Sequence, residues 1–136
     1  MNSKVEMVFW DVQHGHATYI KSPNNRHIVI DLGTGDYSSN NEAFSPLRHL
    51  KYKYGVNQLD YVIITHPHLD HISDILNFDD LRPKVLLCPR LTDQEIMESV
   101  RAGDEKKFKK YCEISNHYTN SIVGGPNDPD ILNNYG

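Results

Sequence analysis

Cysteine is scarce in this chain of 136 residues, which contains only Cys88 and Cys112. Two cysteines cannot form the disulfide framework on which small secreted domains depend. Cys88 lies in an apolar run, and Cys112 falls on the same predicted helix face as Phe108, so both thiols are predicted to be small buried side chains. The low cysteine content favours a reducing compartment, and we expect a cytoplasmic protein.

Long hydrophobic runs are also absent. Hydrophobic residues make up 38% of the chain, and no run approaches the roughly 20 apolar residues that a membrane helix requires. Lys4, Glu6 and Asp11 interrupt the apolar start of the chain, so no secretory signal is predicted. The pattern therefore predicts a protein that has no membrane partner.

The chain has no excess of positive charge, with 14 lysines and arginines against 18 aspartates and glutamates and a formal net charge of −4. This balance argues against nonspecific nucleic-acid binding by bulk electrostatics. It does not exclude a nuclease, because a metal site can hold a phosphate without a basic exterior. A dense basic cluster at 106–110 is typical of a solvated helix face, with a phosphate-binding patch as the less favoured interpretation.

Metal-ligating side chains are concentrated at one point, His66-Pro67-His68-Leu69-Asp70-His71, directly after the apolar run 59–65. Imidazole and carboxylate ligands suit zinc and manganese. His66 and His68 are two residues apart and would point to the same side of an extended segment. The adjacent Asp70 and His71 would point elsewhere and could serve a second ion. Histidines that merely cap a helix are disfavoured, because caps prefer Ser, Thr, Asp and Asn.

This H-x-H-x-D-H run resembles the signature of the metallo-β-lactamase superfamily. Upstream, 9–20 and 27–33 are similar to the opening of the soluble hydrolase domain attached to DNA-uptake competence proteins. The similar segments lie between residue 5 and about residue 78. His16 stands where that subfamily usually carries an aspartate, and Gln13-His14-Gly15 stands where it has a Gly-Gln-Gly run.

The resemblance implies a site for two metal ions, expected to be Zn²⁺ with Mn²⁺ as an alternative. His66 and His68 would bind the first ion, and Asp70 and His71 would bind the second. Asp70 and His71 are also the expected catalytic residues, with Asp70 close to the attacking water.

Three further residues are candidates near this site. Asp31 ends a predicted strand and is expected to orient a ligand or the motif backbone, unless it only forms a turn. His14 and His16 flank Gly15 in a loop that, by resemblance, approaches the metals. They could face an ion or a substrate phosphate, or belong to a plain surface loop.

The element pattern predicts an α/β (α+β) fold, in which buried strands alternate with helices. The resemblance implies the αβ/βα sandwich of the superfamily, of which 1–136 would supply only the first half as one incomplete domain. After His71, no strand followed by a metal ligand is evident. The predicted strands are 5–10, 16–21, 26–32, 59–65 and 84–88, and the predicted helices are 46–54, 72–76, 92–100 and a last one from about 104.

These features predict a metal-dependent hydrolase that attacks a phosphodiester of a nucleic acid or nucleotide with metal-bound hydroxide. One alternative is a catalytically inactive half domain that acts by association. Its uncovered sheet face would then pack against a second chain or the missing C-terminal half. The other alternative is an acyl hydrolase, because the superfamily also cleaves C–N and C–S bonds.

Overall fold

The computed structural model describes residues 4–35, 44–119 and 134, which form a five-stranded sheet in the order β1-β2-β3-β4-β5. The first three strands form an antiparallel meander, whereas β4 runs parallel to β3 and β5 runs parallel to β4. Parallel neighbours need crossover connections, and the helices supply them. The strands are β1 (Glu6–Phe9), β2 (Thr18–Lys21), β3 (His27–Ile30), β4 (Tyr61–Ile63) and β5 (Val85–Leu87).

Within the described residues, four α-helices and one 3₁₀ helix accompany the sheet, and side-chain caps mark the starts of two of the α-helices. The first helix begins where predicted, because the hydroxyl of Ser45 accepts a bond from the amide of Arg48 at 3.1 Å. It ends before Gly55, whose φ of 66° is the left-handed conformation that glycine favours. The helices are α1 (Pro46–Lys53), α2 (Leu69–Ile72), the 3₁₀ helix (Ile75–Leu81), α3 (Asp93–Met97) and α4 (Glu105–His117).

Two predicted helix boundaries are corrected. The helix predicted at 72–76 begins earlier, at Leu69, because the carbonyl of His68 accepts bonds from the amides of His71 and Ile72 at 2.9 and 3.1 Å. Asp70 and His71 therefore lie within α2 rather than at its edge. The helix predicted at 92–100 starts with a capping box formed by Thr92 and Glu95 but ends at Met97.

One face of the sheet packs against the helices and forms the core. Its central row runs across all five strands in register and joins the buried side chains of the helices in one cluster. The row consists of Val8, Tyr19, Val29, Val62 and Leu86. Burial of such a row contributes most of the favourable free energy of folding, at roughly 25 cal/mol per Å² of apolar surface. The predicted α+β class is therefore confirmed.

The opposite sheet face, here called the outer face, is also apolar. Within the described part of the chain, none of its residues joins the core cluster. Met7 is 52% exposed, Phe9 70% and Leu87 40%. Alternation along each strand places Ile20, Ile28, Ile30, Tyr61 and Ile63 on the same side.

Other expectations concern single segments. Both cysteines are free, and Cys112 is buried beside Phe108 in the core, as predicted. In the described residues, no helix is long and apolar enough to cross a bilayer. The sequence also predicts loops at 38–41 and 124–130, and both segments lie outside the described residues.

Candidate metal centre

The carboxyl ends of β3 and β4 bring the candidate residues together. Asp31 follows β3 directly, and its amide donates to the carbonyl of Ile63 at 2.8 Å, at the end of β4. The motif 66–71 starts shortly after that strand. The next amide along, that of Leu32, donates to the carbonyl of His71 at 2.7 Å. Because β3 and β4 are parallel, both strands deliver their following residues to the same edge of the sheet.

The carboxylate of Asp31 is the shared hydrogen-bond acceptor at this edge of the sheet. Asp31 has a completely buried side chain, and its φ of 60° is a conformation that only Asn, Asp and Gly adopt with any frequency. Its carboxylate accepts bonds from the amide and hydroxyl of Thr65 at 2.8 and 2.7 Å, and from the Nδ1 atoms of His71 and His16 at 2.8 and 3.1 Å. Burial acts to raise the pKa of Asp31, but these bonds outweigh it and hold the pKa below its ordinary value.

Hydrogen bonds that lead to Asp31 determine which ring nitrogen of His66 and of His71 is free to bind a metal. His71 donates from Nδ1, so its Nε2 atom keeps the lone pair that a metal needs. The hydroxyl of Thr65 donates to Asp31, so its oxygen accepts the bond from Nδ1 of His66 at 3.0 Å. The Nε2 atom of His66 is left as a ligand in the same way. One buried carboxylate thus orients two imidazoles.

Three motif side chains converge closely enough to share one ion. The donor atoms of His66, Asp70 and His71 all lie within 4.8 Å of one another. Two ligands held about 2.1 Å from one zinc ion can be at most about 4.2 Å apart. The 3.7 Å between Nε2 of His71 and Oδ2 of Asp70 is within that limit. Two imidazoles and a carboxylate are a typical set of protein ligands for a catalytic zinc, so the residues fit the metal.

Electrostatics favour the neutral, metal-binding form of His66. Burial lowers the pKa of its imidazole below the ordinary value, and the neighbouring His71 and His68 lower it further. Asp70 has a side chain that is 46% exposed. A ligand set that includes such an accessible carboxylate is open to solvent and substrate on one side.

The position of His68 differs from the one that the resemblance implies. Its side chain is exposed, and its ring centroid lies 4.6 Å from that of His66, but its donor atoms do not join the group formed by His66, Asp70 and His71. The geometry therefore groups His66 with Asp70 and His71, rather than with His68. The predicted division into two pairs of ligands for two ions stays a prediction.

The loop before β2 contributes His16 but not His14. His16 forms a second cluster with Asp31 and His71. We assign that cluster to hydrogen bonding, because its three atoms are already joined at 3.1 and 2.8 Å. The Nε2 atom of His16 in turn accepts from the hydroxyl of Thr18 at 2.9 Å. His14 is exposed and belongs to neither cluster.

Two glycines let this loop and the segment after β3 approach the motif. A Cβ atom on Gly15 would lie 2.3 Å from the carbonyl oxygen of Asp70, and one on Gly33 would lie 2.5 Å from the same oxygen. Real Cβ atoms never approach backbone so closely, so any side chain here would displace the motif. The amide of His16 donates to that oxygen at 3.3 Å. The loop and the motif therefore form one packed unit.

Sequence reasoning missed Thr65 and Thr18, which orient His66 and His16. A signal for Thr65 was available, because it directly precedes the motif. A local signal existed for Thr18 as well, because it lies two residues after its partner His16. Gly15 and Gly33, by contrast, acquire their role only through contact with Asp70.

Comparison with known proteins agrees with this geometry. The chain is similar to a UPF0173 metal-dependent hydrolase of Saccharolobus solfataricus and to another of Sulfurisphaera tokodaii, with 33% identity over 73 residues in each case. The similar segment covers 54% of this chain and 29% of each relative. A family model, described as the metallo-beta-lactamase superfamily, matches residues 10–134. Because that match takes in nearly the whole chain, we conclude that the chain belongs to the metallo-beta-lactamase superfamily, as its motif predicted.

Proposed function

We propose that this chain is the metal-binding part of a metal-dependent hydrolase that cleaves phosphodiesters. The observation that carries the proposal is the convergence of His66, Asp70 and His71 within 4.8 Å beside the buried carboxylate of Asp31. Zinc is the proposed metal, because two imidazoles and a carboxylate suit it, with manganese as the alternative. When bound, the metal supplies Lewis acidity and lowers the pKa of a water molecule toward neutrality.

The residues of the chain have distinct tasks in this proposal. His66 and His71 hold the metal through Nε2, together with the carboxylate of Asp70. Asp31 fixes the ring of His71 directly and that of His66 through the hydroxyl of Thr65. Asp70 is the group best placed to accept the proton of an attacking water, because its carboxylate is both near His71 and open to solvent. His68 lies beside His66 and is available to a second ion.

The phosphodiester substrate is supported by the similarity of 9–20 and 27–33 to the competence-type hydrolase domain. The names of the two relatives specify only metal-dependent hydrolysis. We propose a nucleic acid or nucleotide as the natural substrate and the cytoplasm as the location.

Hydrolysis of bis(p-nitrophenyl) phosphate by the purified chain tests this proposal. Activity is expected to appear with added Zn²⁺ or Mn²⁺, to disappear with a chelator and to return when metal is restored. p-Nitrophenyl acetate serves as the acyl comparison. Release of p-nitrophenol from the acetate alone, or release that persists in the chelator, would contradict a metal-dependent phosphodiesterase.

A second proposed property, association, is favoured by the outer face. Met7, Phe9 and Leu87 expose 52%, 70% and 40% of their surface on one side of a continuous apolar sheet. Large apolar patches on a protein surface are typical of sites covered by another polypeptide. We propose that a further protein layer, either a C-terminal half or a second chain, packs there.

Replacing Phe9 by glutamate is expected to weaken self-association of the chain at least tenfold, because a charge would enter the apolar outer face at its most exposed side chain. Sedimentation velocity over a range of protein concentrations measures the effect. Leu76→Glu is the matched control, because Leu76 is 42% exposed but lies on the 3₁₀ helix, away from the sheet. A chain that is monomeric at all concentrations would exclude the second-chain form of this proposal.

A further inference from the structure

The solvent side of α1 carries positive charge and aromatic rings together. Between positions 44 and 59 the sequence has Arg48, Lys51 and Lys53 but no aspartate or glutamate, in a chain whose net charge is −4. Tyr52 is 66% exposed and Tyr54 50% exposed on the same short stretch. These five residues are here called the α1 patch.

The cations of the α1 patch are available to a ligand. Among the described residues, none of the three forms a salt bridge. Arg48 and Lys51 instead lie 5.8 and 5.7 Å from the centre of the Tyr52 ring. By contrast, Lys110 in the basic cluster of α4 is engaged by Asp79 at 2.7 Å. Within the described residues, the positive charge on α1 is therefore uncompensated, unlike that of Lys110.

Further rings extend the patch toward the metal centre. Tyr54 contacts the ring of His49 at 5.4 Å, and His49 contacts those of Phe44 and Trp10 at 5.1 and 6.3 Å. Trp10 immediately precedes the loop that packs on the motif. At the start of α1, Ser45 donates to Asp74 at 2.9 Å, just after α2.

We propose that the α1 patch binds single-stranded nucleic acid, with phosphates at Arg48, Lys51 and Lys53 and bases stacked on the exposed tyrosines. Surfaces that bind single strands commonly combine cations that contact the sugar–phosphate backbone with aromatic rings on which the bases stack. The inference rests on the proposed phosphodiesterase function and names its substrate class, a strand that extends from the metal centre over α1.

Binding of a fluorescein-labelled oligothymidylate to the chain, followed by fluorescence anisotropy in EDTA, tests the patch without hydrolysis. Wild type is expected to bind with an affinity that falls as salt rises. The double variant Lys51→Ala/Lys53→Ala should bind at least fivefold more weakly at low salt. Its plot of log affinity against log salt should be shallower by about 1.4, or about 0.7 for each lost phosphate contact. Tyr52→Ala/Tyr54→Ala should weaken binding about tenfold with an unchanged salt slope.

Lys106→Ala/Lys109→Ala is the matched control, because it removes the same charge from exposed positions on α4. Equal loss of binding in both lysine variants would show a bulk charge effect and overturn the assignment to α1. Binding to anionic phospholipid vesicles but not to the oligonucleotide would also overturn it. Hydrolysis of bis(p-nitrophenyl) phosphate should be the same in the Lys106/Lys109 variant and wild type. A chain that binds the oligonucleotide but hydrolyses nothing refutes the phosphodiesterase proposal alone.

Discussion

Replacement of His71 by alanine is expected to reduce metal affinity by at least 100-fold and to abolish metal-dependent hydrolysis. His71 is the one imidazole that joins the ligand group while bonding directly to Asp31, at 2.8 Å. Without it, His66 and Asp70 remain as a pair, and a catalytic zinc needs about three protein ligands. Competition of the chain with a chromophoric zinc chelator measures the affinity, and release of p-nitrophenol measures the activity.

His117→Ala is the control for that experiment, because His117 is exposed at the end of α4 and belongs to neither cluster of candidate ligands. It should bind metal and hydrolyse the probe as the wild type does. Unchanged metal affinity in His71→Ala would show that the three converging donors are not the binding site.

Asp31→Ala is expected to lower the free energy of unfolding of the metal-free chain by about 3–5 kcal/mol. Four donors lose an acceptor that is itself fully buried, and each of them that stays buried without a partner costs about 1–3 kcal/mol before the surroundings relax. Alanine also tolerates the φ of 60° less well than aspartate. Such a loss is a large part of the typical stability of a domain, about 5–15 kcal/mol. Urea denaturation measures it.

Asp31→Asn separates the two tasks of this residue. Asparagine adopts the same backbone conformation and can still accept from the amide of Thr65, so most of the stability should be kept. The side-chain NH₂ group of the asparagine would, however, donate to the Nδ1 atom of His71. The ring would then favour the tautomer in which Nε2 carries the proton and cannot bind a metal. Metal affinity should therefore fall by about 10–100-fold. Equal metal affinity in Asp31→Asn and wild type would contradict the role of Asp31 in orienting the ligands.

Most of the elements could be predicted because their signals are local. The cap at Ser45, the capping box of Thr92 and Glu95 and the apolar run before the motif all act within a few residues. The predicted start of α2 was wrong because no capping side chain marks the true start. Its first turn is instead defined by the backbone carbonyl of the extended His68, which no residue pattern reveals.

The candidate donors could also be found from their spacing, but their grouping could not. Two-residue spacing pairs His66 with His68 on an extended strand. The chain turns into α2 directly after His68, however, and this turn brings Asp70 and His71 back toward His66. Zinc, the second ion, the phosphodiester substrate and the competence-type likeness stay predictions that the experiments above address.

The order of residues alone established the class of fold, the family motif and the stock of metal-competent side chains, since each depends on neighbours along the chain. Folding in three dimensions decided which nitrogen of His66 and of His71 is free for a metal. That choice depends on a carboxylate 34 positions before Thr65 and 40 before His71. Only the parallel pairing of β3 with β4 brings Asp31 within hydrogen-bonding distance of both.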